Sequence, residues 1–154
     1  MKLLMRKITI WLSFFVMIEN PSFGNQAISL KLEIERALGK GIKWLNNEQN
    51  ATSGSWGEPD YPALTGLALR ATMGHPDQSF IKRYASNQKK GFDFLLSKVQ
   101  SDGGIYGKGL ASYNTSICLM AFLQTKNAKY EEIVQTARRF LINQQSDFDI
   151  KGEG

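Results

Sequence analysis

The chain repeats itself. The stretch KGIKWLNNEQNATSGSWG, Lys40 to Gly57, returns as KGFDFLLSKVQSDGGIYG, Lys90 to Gly107, and a third copy opens in ARRFLINQQSDFD. Lys40-Gly41 lies over Lys90-Gly91. Trp44-Leu45 lies over Phe94-Leu95 and again over Phe140-Leu141, while Gln49 lies over Gln100 and Gln145. Gly54-Ser55-Trp56-Gly57 then matches Gly104-Ile105-Tyr106-Gly107, and the first two copies start 50 residues apart, the next 46 further on. Self-similarity at such a period marks stacked supersecondary units and constrains the fold more than composition does.

Within each unit the hydrophobic spacing is helical. Leu30, Ile34, Ala37, Leu38, Gly41, Ile42 and Leu45 share one face of a first long helix. YPALTGLALRATMG predicts a short second helix, with Pro62 tolerated in its first turn and Gly74 at its end. A third helix is expected from about Asp77 to Val99, with Phe80, Ile81, Tyr84, Gly91, Phe92, Leu95 and Val99 inward. A fourth runs from Tyr113 to Thr125. A fifth, Lys129 to Gln144, turns Tyr130, Ile133, Val134, Ala137, Phe140 and Leu141 inward. The short helices overlay too, Ala68 on Ala121 and Thr72 on Thr125. No segment alternates like a strand, so the class is all-α.

Each unit is a long helix, a glycine-rich loop with an aromatic, and a short apolar helix: about 28–76, 77–127 and an incomplete 128–154. One such hairpin cannot bury both apolar faces, so neighbours must stack. Short helices that are apolar nearly all round belong inside. The glutamines are expected to satisfy backbone groups at the ends of the long helices, and the loop aromatics to pack on the adjacent repeat. Trp44, Trp56, Phe94 and Tyr106 can also be read as a ligand-binding aromatic box, but their repeat spacing favours packing.

Residues 1–24 read as a secretory signal: basic Lys2, Arg6 and Lys7, the apolar run Ile8 to Ile18, then Ser22-Phe23-Gly24 before a cleavage point at Asn25. The run is too short to span a bilayer, so a secreted or periplasmic protein with no stable membrane span is expected. The formal net charge is +5, and +3 without Lys2, Arg6, Lys7 and Glu19. No Lys/Arg run accompanies it, which argues against nucleic acid as a partner. Cys118 is the one cysteine and His75 the one histidine. Cys118 sits in the apolar SICLMAFL and reads as a packing residue. One Cys and one His do not make a structural zinc site, and neither metal nor cofactor is expected. Asn50-Ala51-Thr52 and Asn114-Thr115-Ser116 fit the glycosylation sequon and read as incidental.

Lys40, Gly41, Trp44, Leu45, Gln49, Gly54 and Trp56 resemble the QW motif of squalene-hopene and oxidosqualene cyclases, and more broadly the prenyltransferase/squalene oxidase repeat family. Lys90, Gly91, Phe94, Leu95, Gln100, Gly104 and Tyr106 are similar, with one residue inserted before Gln100 and Tyr in place of Trp. Phe140, Leu141 and Gln145 begin a third copy without its Gly-x-Trp. The resemblance covers residues 30 to 154 and implies an α/α toroid or part of one. It also implies, in the cyclases, an Asp-x-Asp-Asp acid; Asp147-Phe148-Asp149-Ile150 lacks the third aspartate. Protein prenyltransferases hold zinc with Asp, Cys and His, and no aspartate stands two residues before Cys118. The Cys-Gly-Glu-Gln of complement-type thioesters does not occur.

The sequence therefore points to an exported toroid-type repeat protein, a fragment of a longer one, with no catalytic residues of its own. Its expected partner is an apolar (polyprenyl or triterpene) ligand or another protein. The alternative is part of a terpene cyclase whose acidic motif lies beyond Gly154.

Overall fold

A computed structural model describes residues 22–145. The proposed signal run and the Asp147–Ile150 string lie outside the described residues. Helix α1 spans Ser22–Asn47, α2 Pro62–Met73, α3 Gln78–Arg83, α4 Ala85–Leu96, α5 Ala111–Thr125 and α6 Glu131–Asn143, with a 3-10 turn at Ala128–Tyr130 before α6. The protein is all-α; among the described residues the extended pairing is one antiparallel bridge, Val99 to Ile105. No described helix is long and apolar enough to cross a membrane.

The chain divides into two units at Lys40 and Gly41. The described part of the first is helical. Leu30, Ile34 and Leu38, expected inward, are exposed there. In the second unit α2 lies along α5, and α4 and α6 pack on α2 and α5 respectively. The core runs through Trp56, Leu69, Phe92, Leu95, Ile105, Phe122, Tyr130 and Ala137. Phe92, Phe122 and Tyr130 form an aromatic trio with ring centres 4.8 to 5.4 Å apart. Rings at such separations stabilise beyond their buried area, and this trio ties α4, α5 and the turn before α6.

The helix expected from Asp77 to Val99 is two helices. It breaks at Tyr84, whose N–H turns back to Ile81 O at 3.1 Å. No proline or glycine signals the break. Instead Phe80 stacks on His75 at 4.2 Å and meets Tyr84 at 5.3 Å, which anchors α3 separately from α4. Asp77 caps α3 by accepting Ser79 N–H at 2.8 Å, and hydrogen bonding from the Ser79 side chain, then from its N–H, holds the Asp77 carboxyl below the usual range. At the other end α4 stops at Leu96, and Val99 belongs to the loop.

The short helices are not buried all round. Leu64 and Leu67 on α2, and Tyr113, Met120 and Leu123 on α5, are exposed. Each short helix therefore keeps one open apolar face.

Candidate functional site

Gln49 and Trp56 sit where one hairpin meets the next. The Gln49 side chain donates Nε2 to Gly54 O at 2.8 Å and to Asn87 O at 2.9 Å, and its Oε1 accepts Asn87 Nδ2 at 2.8 Å. One carboxamide thus joins its own loop to α4 of the following unit. Trp56 is buried. Its Nε1 donates to Leu45 O at 2.6 Å, and its backbone N–H to Thr65 Oγ1 at 3.0 Å. The loop is held to both helices of its hairpin.

Two glycines make the approach possible. Gly54 has φ +76, and a Cβ on it would stand 2.6 Å from Lys90 O; one on Gly91 would stand 2.9 Å from Trp56 Cζ3 and from Leu69 Cδ2. Gly54 answers both a left-handed turn and a close backbone contact. Gly91 answers the bulk of the indole. Among the described residues nothing stands within 4 Å of a Cβ placed on Gly41.

The second seam repeats this geometry in a shifted register. Gly103, φ +86, faces Thr136 O as Gly54 faces Lys90 O. Ile105 N–H donates to Thr115 Oγ1 at 2.9 Å, as Trp56 N–H does to Thr65. The buried equivalent of Trp56 is therefore Ile105, not Tyr106, and Gly103 rather than Gly104 takes the place of Gly54. Thr65 and Thr115 likewise set the short helices in a register different from the overlay of Ala68 on Ala121. The cause is loop length. Asn50 N–H bonds Ser55 O, five residues on, whereas Gln100 N–H bonds Gly104 O, four residues on. Tyr106 instead meets Phe140 at 5.8 Å and donates its hydroxyl to Asp102 at 2.7 Å, which raises the phenol's pKa.

The remaining motif residues divide. Gln100 donates Nε2 to Tyr106 O at 2.7 Å and to Lys98 O, staying within its own loop. Phe94, Leu95 and Phe140 are buried, Leu45 and Leu141 half-buried, Lys40, Lys90 and Gln145 exposed. Trp44 is 63% exposed and joins no seam. It borders an apolar cleft of about 630 Å³ between α1 and α2, with Trp56, Leu64, Leu67 and Ala71, and Glu48 is the charged residue on its wall.

Asn114 is the residue that repeat-matching missed. It is fully buried; Oδ1 accepts Ala63 N–H at 3.1 Å, and Nδ2 donates to Leu110 O at 3.1 Å and Gly109 O at 3.2 Å. Helix α2 has no side-chain cap at its own N-terminus, so α5 supplies one from the neighbouring hairpin. The sequon here is inaccessible. Asn50, in the other, is exposed and accepts Thr52 N–H and Ser53 N–H in a local turn. A polar side chain inside an apolar helix was the available signal for Asn114.

Neither single-copy residue is arranged for chemistry. Cys118 is buried, and desolvation pushes its thiol up to about 12, far from the thiolate a nucleophile needs. His75 uses Nδ1 to accept Asp77 N–H at 3.0 Å, which anchors the turn before α3. Among the described residues no group of three or more His, Cys, Asp or Glu is gathered for a metal. Comparison of the chain with family models, curated proteins and solved structures found no match.

Proposed function

We propose that this chain is an exported, non-catalytic repeat module of the squalene cyclase/prenyltransferase type, part of an α/α toroid, that holds an apolar ligand of polyprenyl or triterpene class. The observation that carries the reading is the open cleft beside Trp44. Translated fifty residues along, Trp44, Leu45, Ala68 and Ala71 become Phe94, Leu95, Cys118 and Ala121, all buried. The second hairpin's matching surface is closed, in part where α2 lies along α5 with Gly66 against Ile117 and Cys118. The first hairpin presents the same kind of apolar surface to solvent. Its volume and lining suit a small ligand with few polar groups.

Titration of the protein with farnesol, followed by tryptophan fluorescence, tests this. A saturable change that Trp44→Ala abolishes without lowering thermal stability is expected. No saturable response to farnesol or to squalene in detergent would overturn the ligand reading.

A further inference from the structure

A second cleft, of about 590 Å³, opens at the end of the short helices away from the glycine loops, between the C-termini of α2 and α5 and the helices α3 and α4. Lys89, Lys126 and Lys129 line it, no carboxylate does among the described residues, and buried Phe92 is part of its wall. Lys89 is engaged by Asp93 at 2.6 Å. Among the described residues Lys126 and Lys129 have no acidic partner; Lys129 Nζ stands 4.5 Å from the Tyr130 ring centre. Gln88 and Gln124 are held by donating Nε2 to Ile81 O and Arg70 O. That leaves each Oε1 as an acceptor at the cleft.

Lys126 separates a site from an ordinary charged surface. It caps α5 in the left-handed region, φ +51 and ψ +28, whereas the residue ending α2, Gly74, has φ −80. A left-handed lysine is strained where glycine would not be. The negative end of α5 favours a cation in its last turn, but it does not require that cation at a left-handed position; the other left-handed non-glycine among the described residues is Leu110, before α5. Strain kept at a cleft wall is a pointer to function.

We propose that this cleft binds a small hydroxylated oxyanion, a phosphate or carboxylate group borne on a polar ligand. Lys126 and Lys129 supply the charge, and the Gln88 and Gln124 oxygens accept from hydroxyls. The proposal is independent of the apolar cleft beside Trp44.

Calorimetric or amide-NMR titration of the full chain at constant ionic strength tests it, using inorganic phosphate, glucose 6-phosphate and citrate as probes, with glucose and chloride as controls. Saturable binding of at least one oxyanion is expected, the preferred probe telling phosphate from carboxylate. Lys126→Gly is expected to weaken it about tenfold while raising the melting temperature, because the strain is relieved. Lys129→Gln is expected to weaken it with stability unchanged. Failure of every oxyanion to bind would overturn the proposal, and so would binding undiminished in both variants.

Discussion

Asn114 on α5 accepts the backbone N–H of Ala63 on α2 through Oδ1 at 3.1 Å. The bond caps one short helix from the next, and the Nδ2 bonds to Gly109 O and Leu110 O fix the loop that leads into α5. Asn114→Ala leaves the buried Ala63 donor, and two part-buried carbonyls, without this partner. We expect a loss of about 2 kcal/mol in urea unfolding. Asn114→Asp should be no better, since a carboxylate cannot donate to the two carbonyls.

The two tryptophans should differ sharply. Trp56 is buried and hydrogen-bonded, and Trp56→Ala is expected to cost about 3–5 kcal/mol. Trp44 is exposed, and Trp44→Ala is expected to change stability by about 0.5 kcal/mol or less. Denaturant midpoints of the two variants check this directly.

That contrast bears on how much the sequence reveals. Helical class, repeat period and the pairing of a glutamine with a loop aromatic are legible in it, because spacing records which side chains share a face. Trp44 and Trp56 stand in one motif and read alike; what separates them is which residues pack on each, and the motif does not record that. The place of Ile105 is hidden because a loop one residue shorter keeps its own Gly-x-aromatic string, which aligns by letter with the wrong residues. The break at Tyr84 is hidden because it comes from stacking among His75, Phe80 and Tyr84, not from a local breaker.

Cys118 gives a pH prediction. Its folded thiol ionises near 12 while the unfolded one ionises at its ordinary value near 9.0. Below the unfolded value the contribution to stability is complete. As pH rises from there through the folded value, the unfolded chain sheds its proton first and this contribution is lost. Stability measured between pH 8 and pH 11 should fall less steeply in Cys118→Ala than in the natural chain. At pH 8 a thiol reagent should label native Cys118 only as fast as the protein opens.

Gln49 and Asn87 exchange two hydrogen bonds across the seam. A double-mutant cycle with Gln49→Ala and Asn87→Ala is expected to give a coupling energy of about 0.5–3 kcal/mol. The same cycle between Gln100 and Ile133 should give a value near zero, because Gln100 bonds only within its own loop.

The central claim is that these repeated motifs are seams, each closed only where a preceding hairpin presses on it. Gly41 and Gly91 hold the same place in the motif, yet among the described residues an added Cβ meets nothing at Gly41 and the Trp56 ring at Gly91. The most direct test is the chemical-denaturation free energy of Gly41→Ala beside Gly91→Ala. The account predicts opposite signs: a gain of about 0.5–1 kcal/mol at position 41 from helix propensity, and a loss of about 1–3 kcal/mol at position 91 from overpacking. Equal effects at the two positions would contradict it.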